Sequence, residues 1–159
     1  MKDYKVGLGF DVHRISKKKK GLILGGVKIA CPFGLLAVSD GDILLHAVSD
    51  ALCGAAGLGD IGDYFLPQDK RSKNLDSKKI IKAILKKIGK KLSIVNLDVI
   101  IIAQKPKLVT HKPKILKSLK NILGAKSINV KVKSKEKTSI LGGKNSISCF
   151  ALVLMKKGK

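Results

Sequence analysis

The chain has no tryptophan, only 4% aromatic residues, three cysteines and, against 33 lysines and arginines, just eleven acids. Each shortage removes a class of explanation. Cys31, Cys53 and Cys149 are an odd set without CxxC spacing, so they form neither a disulfide framework nor a cysteine-based zinc site and read as reduced, partly buried thiols. No apolar run reaches the roughly 18 to 20 residues of a membrane helix. The opening MKDYKVGLGFDVH lacks the apolar core and small-residue cleavage site of a secretory signal. These absences point to a cytoplasmic protein with no membrane partner. Disorder is excluded because 45% of the residues are hydrophobic and the charges are interleaved with aliphatic runs. A single domain over residues 1–159 is expected, a length that buries roughly two-thirds of the unfolded surface.

The scarcity of acids leaves a formal net charge of +22, which ordinarily suggests nucleic acid. The kind of cation argues otherwise. Of the 33 basic residues 31 are lysine, and only Arg14 and Arg71 carry the planar guanidinium suited to bidentate recognition of bases and phosphates. Aromatic stacking platforms are missing as well. With 18 isoleucines beside the lysines, the pattern reads as a drift in composition. No specific nucleic-acid partner is expected, although nonspecific polyanion binding at low salt follows from the charge alone.

Residues 5–12 and 21–29, the latter with a turn signal at Gly25-Gly26, read as two strands joined by a basic loop whose lysine run, 17–20, is a solvated tip. Ser39 with Asp42 three residues on resembles a capping box, and Leu44, Val48, Ala51, Leu52 and Ala55 follow at helical spacing toward a stop near Gly57 or Gly59. The opposite face of that helix carries Ser39, Asp42, His46, Ser49, Asp50 and Cys53, an unusual set for a solvent side. A second helix fits residues 77–90, with Ile80, Ile81, Ile84, Leu85 and Ile88 in one stripe, and reads as structural. Residues 95–103 read as a buried strand, 112–123 as a third helix with Pro113 in its first turn and Gly124 closing it, and 128–133 and 147–155 as two further strands. The order β, β, α, α, β, α, β, β predicts an α/β (α+β) sandwich: one mixed sheet with helices packed on one face.

Asp11 and His13 lie two apart on a strand, so they project from the same side. A carboxylate and an imidazole are both ligands for a metal such as zinc, which needs a third protein ligand and an open fourth position. Of the three histidines, His46 on the polar helix face suits that role better than His111, which sits among lysines and prolines. Residue types alone remain compatible with ordinary hydrogen-bonded histidines. Asp50, one turn after His46, is placed to orient the imidazole, or is simply a solvated carboxylate. Asp60-Ile61-Gly62, Phe65 and Asp69 form a polar loop after the helix, and the strand ends at Gln104-Lys105-Pro106-Lys107 and Ser134-Lys135-Glu136 stand where α/β proteins bind ligands. Glu136 could ligate Mg²⁺ between phosphates.

GLGFDVHR, LLAVSDGDILLHAVSDALCGAAGLGDIGDYF, IIIAQKPKL and NVKVKSKEK together resemble the 2-C-methyl-D-erythritol 2,4-cyclodiphosphate synthases of the non-mevalonate isoprenoid pathway, in order and from end to end. The resemblance implies a homotrimer with active sites between neighbouring subunits. It implies a phosphorus–oxygen lyase that converts 4-diphosphocytidyl-2-C-methyl-D-erythritol 2-phosphate to the cyclic diphosphate and releases CMP. Asp11, His13 and His46 would hold Zn²⁺ or another divalent transition metal, and Glu136 would hold Mg²⁺ or Mn²⁺ with the diphosphate. Ser134 would stand at the position of a phosphate-contacting threonine. Asp60, Ile61, Gly62, Phe65 and Asp69 would line the methylerythritol pocket, with Ser39 and the Lys133, Ser134, Lys135, Glu136 stretch on the phosphates. Ala103, Gln104, Lys105, Pro106, Lys107, Leu108 and Val109 of the adjacent subunit would enclose the cytidine.

The sequence also departs from the family pattern. Val38 stands where the family has a histidine that stabilises the transition state, and loss of one such donor costs on the order of 3 kcal/mol. Lysines at 133 and 135 replace threonines and are placed to compensate in part. Gly143 and Phe150 occupy the family's arginine and glutamate positions around the trimer axis, and Ile140 an aromatic one, which leaves no arginine there for an isoprenoid diphosphate. Gln68 takes the place of the middle acid in the loop Phe65-Leu66-Pro67-Gln68-Asp69. Reduced activity, a catalytically impaired trimer that still binds cytidine nucleotides, and a nonspecific polyanion binder are the competing expectations.

Overall fold

In the computed structural model, which describes residues 3–136, 138, 141 and 143–158, the elements are β1 (Tyr4–Ser16), β2 (Leu22–Leu24), β3 (Val27–Ile29), β4 (Gly34–Leu35), α1 (Ile43–Ala56), α2 (Ser77–Ile88), β5 (Leu92–Ile102), α3 (Lys112–Leu123), β6 (Ile128–Lys133) and β7 (Ser146–Lys157). Five strands form one sheet in the order β4-β1-β7-β5-β6. β7 pairs antiparallel with β1 and β5, while β5 and β6 are parallel, so the sheet is mixed as expected. The parallel pair needs a crossover, which α3 supplies.

α1 is the central helix. Its buried residues include Leu44, Val48, Ala51, Leu52 and Ala55, and they join Leu97, Val99 and Ile101 of β5 and Ile147, Cys149, Ala151 and Val153 of β7 in one core. α2 adds Ile81, Ile84 and Ile88, and α3 adds Ile115 and Leu119. The stripes at 3.6-residue spacing bury apolar faces against the sheet while the lysines stay outside.

Several boundaries differ from the sequence expectation, each for a local reason. Residues 21–29 are not one strand but a separate hairpin, β2–β3, reversed at Gly25 and Gly26, both at positive φ. α1 starts at Ile43, not Ser39: the cap is Asp42, whose carboxylate accepts from the Leu45 N–H and also from the N–H groups of Gly25 and Gly26. One buried carboxylate thus ties the hairpin turn to the helix start. The polar face expected on α1 is not a solvent side either. Asp42, Ser49 and Cys53 are buried, and Ser49 donates to the Leu45 carbonyl 2.7 Å away. β5 was expected to be buried throughout, yet its burial alternates, with Leu97, Val99 and Ile101 inward and Ile100 and Ile102 on the other side of the sheet. Among the described residues no helix covers that other side; its β1–β7 part is apolar, whereas Asp98 and Lys131 pair on its β5–β6 part. Val6, Leu8, Phe10 and Val12 of β1 and Leu152 of β7 are exposed on it.

Candidate metal centre and cleft

Gly7 and Gly9 let α1 lie directly on β1. A Cβ at Gly9 would stand 1.9 Å from the Ala47 carbonyl oxygen, and one at Gly7 1.9 Å from that of Ala51. Every second residue of β1 faces the helix, so Asp11 and His13 continue the row that the glycines begin, and His46 precedes Ala47. The sequence therefore brings three groups to one point. A ligand atom from each of Asp11, His13 and His46 lies within 4.8 Å of the others. Asp11 Oδ2 is 3.0 Å from His13 Nε2 and 3.1 Å from His46 Nδ1. All three side chains are partly buried.

Burial works against ionising Asp11, but the hydrogen bonds and charges of the two imidazoles outweigh it and hold the carboxyl well below the usual range. For His13, burial disfavours the charged form, and the Asp11 carboxylate more than reverses this, raising its pKa above 6.5. For His13 the remote nitrogen fixes the tautomer. His13 Nδ1 lies 2.7 Å from the Leu36 carbonyl, which can only accept, so in the neutral ring Nε2 is left bare toward Asp11. His46 Nε2 lies 3.0 Å from Ser77 Oγ and 3.2 Å from Ser39 Oγ, leaving Nδ1 toward the same point. One carboxylate oxygen and two imidazole nitrogens, bare once a metal displaces any proton between them, form a donor set that fits a divalent metal with one position open.

Asp50 does not orient His46 as expected. Its Oδ1 accepts from the Ile61 N–H at 2.9 Å, and among the described residues the hydrogen-bond partners of His46 Nε2 are the hydroxyls of Ser77 and Ser39. Burial raises the Asp50 pKa. Ser77 was missed: it lies 31 residues from His46 on a helix read as structural, and a serine at a helix start carries no signal beyond the helix itself.

The cluster lies in a cleft of about 370 Å³ also lined by Val38, Ser39, Asp50, Asp60, Ile61, Gly62 and Phe65. Pro67, Ser72, Leu75 and Ile80, none expected, complete its lining. Asp60 caps the short helical turn Ile61–Asp63 and accepts from Gly62 N–H at 2.7 Å. Asp69 stands apart from the cleft lining: it caps Lys70–Ser72 and pairs with Arg71 at 2.7 Å.

The remaining expected residues gather elsewhere. Ala103, Gln104, Lys105, Pro106, Lys107, Leu108 and Val109 follow β5, and Lys133 ends β6 with Ser134, Lys135 and Glu136 after it, all outside the lining of the cleft. The two stretches touch, since Ala103 N–H donates to the Lys133 carbonyl at 3.0 Å and Lys135 N–H to Gln104 Oε1 at 3.3 Å. Ser134 Oγ donates to Glu136. Lys135 does not offer its charge to solvent: it is only 5% exposed, and Nζ donates to the Gly143 carbonyl and to Ser146 Oγ. Phe150 lies on the uncovered side of the sheet with its ring 4.6 Å from that of Phe10. Ile140 lies outside the described residues.

The sequence model of the YgbB family matches residues 4–156. The chain belongs to this family. A 2-C-methyl-D-erythritol 2,4-cyclodiphosphate synthase of Francisella tularensis is 43% identical over 155 residues, covering 96% of this chain and 98% of that one. Among solved structures, the Plasmodium falciparum IspF in complex with CDP superposes with a TM-score of 0.83 at 34% identity over 98% of this chain and 97% of its own. The bifunctional IspDF of Campylobacter jejuni gives 0.91 at 35% identity, with this chain covered to 99% but spanning only 43% of the longer protein.

Proposed function

We propose that this YgbB-family chain is a cytoplasmic 2-C-methyl-D-erythritol 2,4-cyclodiphosphate synthase. It converts 4-diphosphocytidyl-2-C-methyl-D-erythritol 2-phosphate to the cyclic diphosphate and CMP. The observation that carries the reading is the convergence of Asp11, His13 and His46 in the cleft, in a chain alike over almost its full length to an enzyme of that name.

The 2-phosphate oxygen forms a bond to the β-phosphorus as the bond to the bridging oxygen breaks and CMP leaves with that oxygen. Crowding several anionic oxygens together is the obstacle, so positioning and charge neutralisation carry the rate, and no protein nucleophile is needed. Asp11, His13 and His46 would hold zinc or a similar divalent ion, which when bound would withdraw charge from a phosphate oxygen. Asp60, Ile61, Gly62 and Phe65 shape the wall that receives the methylerythritol, and Asp69 acts from the loop beyond it. Ser134, whose hydroxyl donates to Glu136 in the free chain, would turn its proton to a phosphate oxygen, and Glu136 would then hold Mg²⁺ or Mn²⁺ with its carboxylate. Val38 offers neither a side-chain donor nor charge, so turnover is reduced relative to a site with histidine there.

The residues at the ends of β5 and β6 lie outside the cleft of their own chain, and the β1–β7 part of the uncovered sheet face is apolar. A homotrimer answers both: it covers the exposed Leu8 and Phe10 and lets residues 103–109 and 133–136 of one subunit complete its neighbour's cleft around the cytidine. The test is CMP release and cyclodiphosphate formation from the synthetic substrate with zinc and magnesium, wild type against His46→Ala. Product from the wild type alone is expected. No product from a folded, zinc-loaded wild type would defeat the proposal.

A further inference from the structure

Ser77 is fully buried at the start of α2, and its hydroxyl has two polar neighbours of different kinds, the Asp40 carboxylate and His46 Nε2. Asp40 also accepts from the Ser77 backbone N–H, at 3.1 Å, so it grips the first residue of α2 twice. A hydroxyl has one proton, and an ionised carboxylate can only accept. The Ser77 proton therefore goes to Asp40, and toward His46 the oxygen can only accept. Nε2 then carries the hydrogen, and the lone pair of Nδ1 points at Asp11 and the open centre.

We propose that Ser77, polarised by Asp40, is the positioning residue of the metal centre: it fixes the tautomer and ring orientation of His46 and strengthens Nδ1 as a ligand. A carboxylate acting through an intervening hydroxyl does here what a direct carboxylate does at many metal-bound histidines. Ser39 Oγ, at 3.2 Å from Nε2, already accepts from Gly41 N–H and is the weaker partner. The arrangement also makes the seating of α2 part of the metal site, although α2 supplies no ligand. The inference rests on the metal-centre reading above.

The experiment measures zinc affinity of the metal-free protein by chelator competition, with the metal-free melting temperature as a check on folding. Ser77→Ala is expected to bind zinc roughly ten- to a hundredfold more weakly, and Ser77→Thr, which keeps the hydroxyl, to recover most of the loss. A Ser77→Ala protein that melts like the wild type and binds zinc within twofold of it overturns the inference, as does equal weakening by alanine and threonine. Nitrogen-15 spectra of histidine-labelled, zinc-loaded wild type test it without any variant: His46 must carry its hydrogen on Nε2 and coordinate through Nδ1, and the reverse pattern overturns it. A wild type that binds no zinc removes the metal centre itself, and this inference with it.

Discussion

Val38 lines the cleft beside Asp11, His13 and His46 with a side chain that can neither donate nor carry charge. Nearly half of it is exposed, so a longer side chain has room to reach toward bound phosphate. Val38→His should therefore raise kcat, by up to the hundredfold or so that one preorganised donor contributes, with little change in zinc content. Turnover assays with zinc quantified in the same samples check this, and an unchanged kcat would place the rate limit elsewhere. The Asp11–His13 pair makes a second prediction, for the metal-free protein. His13 has a raised folded pKa, so its contribution to stability is complete below about 6.5 and disappears as pH rises through the folded value. Asp11 has a depressed one, so its contribution is complete above about 3.8 and is lost on acidification. The stability difference between wild type and Asp11→Asn should thus peak between those pH values, and a difference that is flat or largest at pH 8 would contradict it. At this scale the pair was legible because strand geometry forces residues two apart onto one side. His46 followed from the scarcity of histidines. The Ser77 contact was not legible, because nothing in local spacing reports which helix start packs on which imidazole 31 residues away.

Elements were legible where a periodic apolar stripe meets a simple partner, as in α2, α3 and β6, and less so where a turn or a cap decides the boundary. The start of α1 is the clearest example: Ser39 and Asp42 imitate a capping box, but Gly41 at φ +78° keeps the chain out of the helix until Asp42 caps it. α1 also misled because backbone groups satisfy its buried polar residues, N–H groups for Asp42 and the Leu45 carbonyl for Ser49, so a mixed face did not mean a wet one. The contact that matters most is the flush packing of α1 on β1, and it gives a paired prediction. In Gly9→Ala the new Cβ would meet backbone, 1.9 Å from the Ala47 oxygen and 2.6 Å from the Ala51 nitrogen, so the helix must move. A loss of about 1–3 kcal/mol is expected, with weaker zinc binding because His46 moves with the helix. Gly54→Ala lies on the same helix, but its nearest neighbour would be Gly7 Cα at an ordinary 3.8 Å. It should stabilise the protein by up to about 1 kcal/mol through helix propensity alone. Thermal melts of both variants decide the matter, and a tolerated Gly9→Ala would mean that α1 is not held so closely.

In the whole molecule, a sheet covered on one side only leaves a row of apolar residues facing water, and Leu8, 64% exposed, stands in the middle of it. Contiguous patches of this kind mark association surfaces, and a net charge of +22 per chain opposes association, so burial must outweigh repulsion. That balance should make the oligomer firmer as salt screens the charge, the opposite of an assembly held by ion pairs. Leu8→Glu places a carboxylate on the uncovered face without touching the row of β1 residues that points at α1. The prediction separates two functions that a single chain holds apart. The candidate ligands Asp11, His13 and His46 belong to one chain, so the variant should bind zinc like the wild type. In the proposed trimer the stretches at the ends of β5 and β6 serve a neighbour, so the variant should sediment as a monomer and release CMP far more slowly. Sedimentation velocity, zinc titration and turnover on the same preparation read all three quantities. A Leu8→Glu monomer with full activity would show that one chain completes its own site, and a variant that stays trimeric would show that the subunits meet through another face.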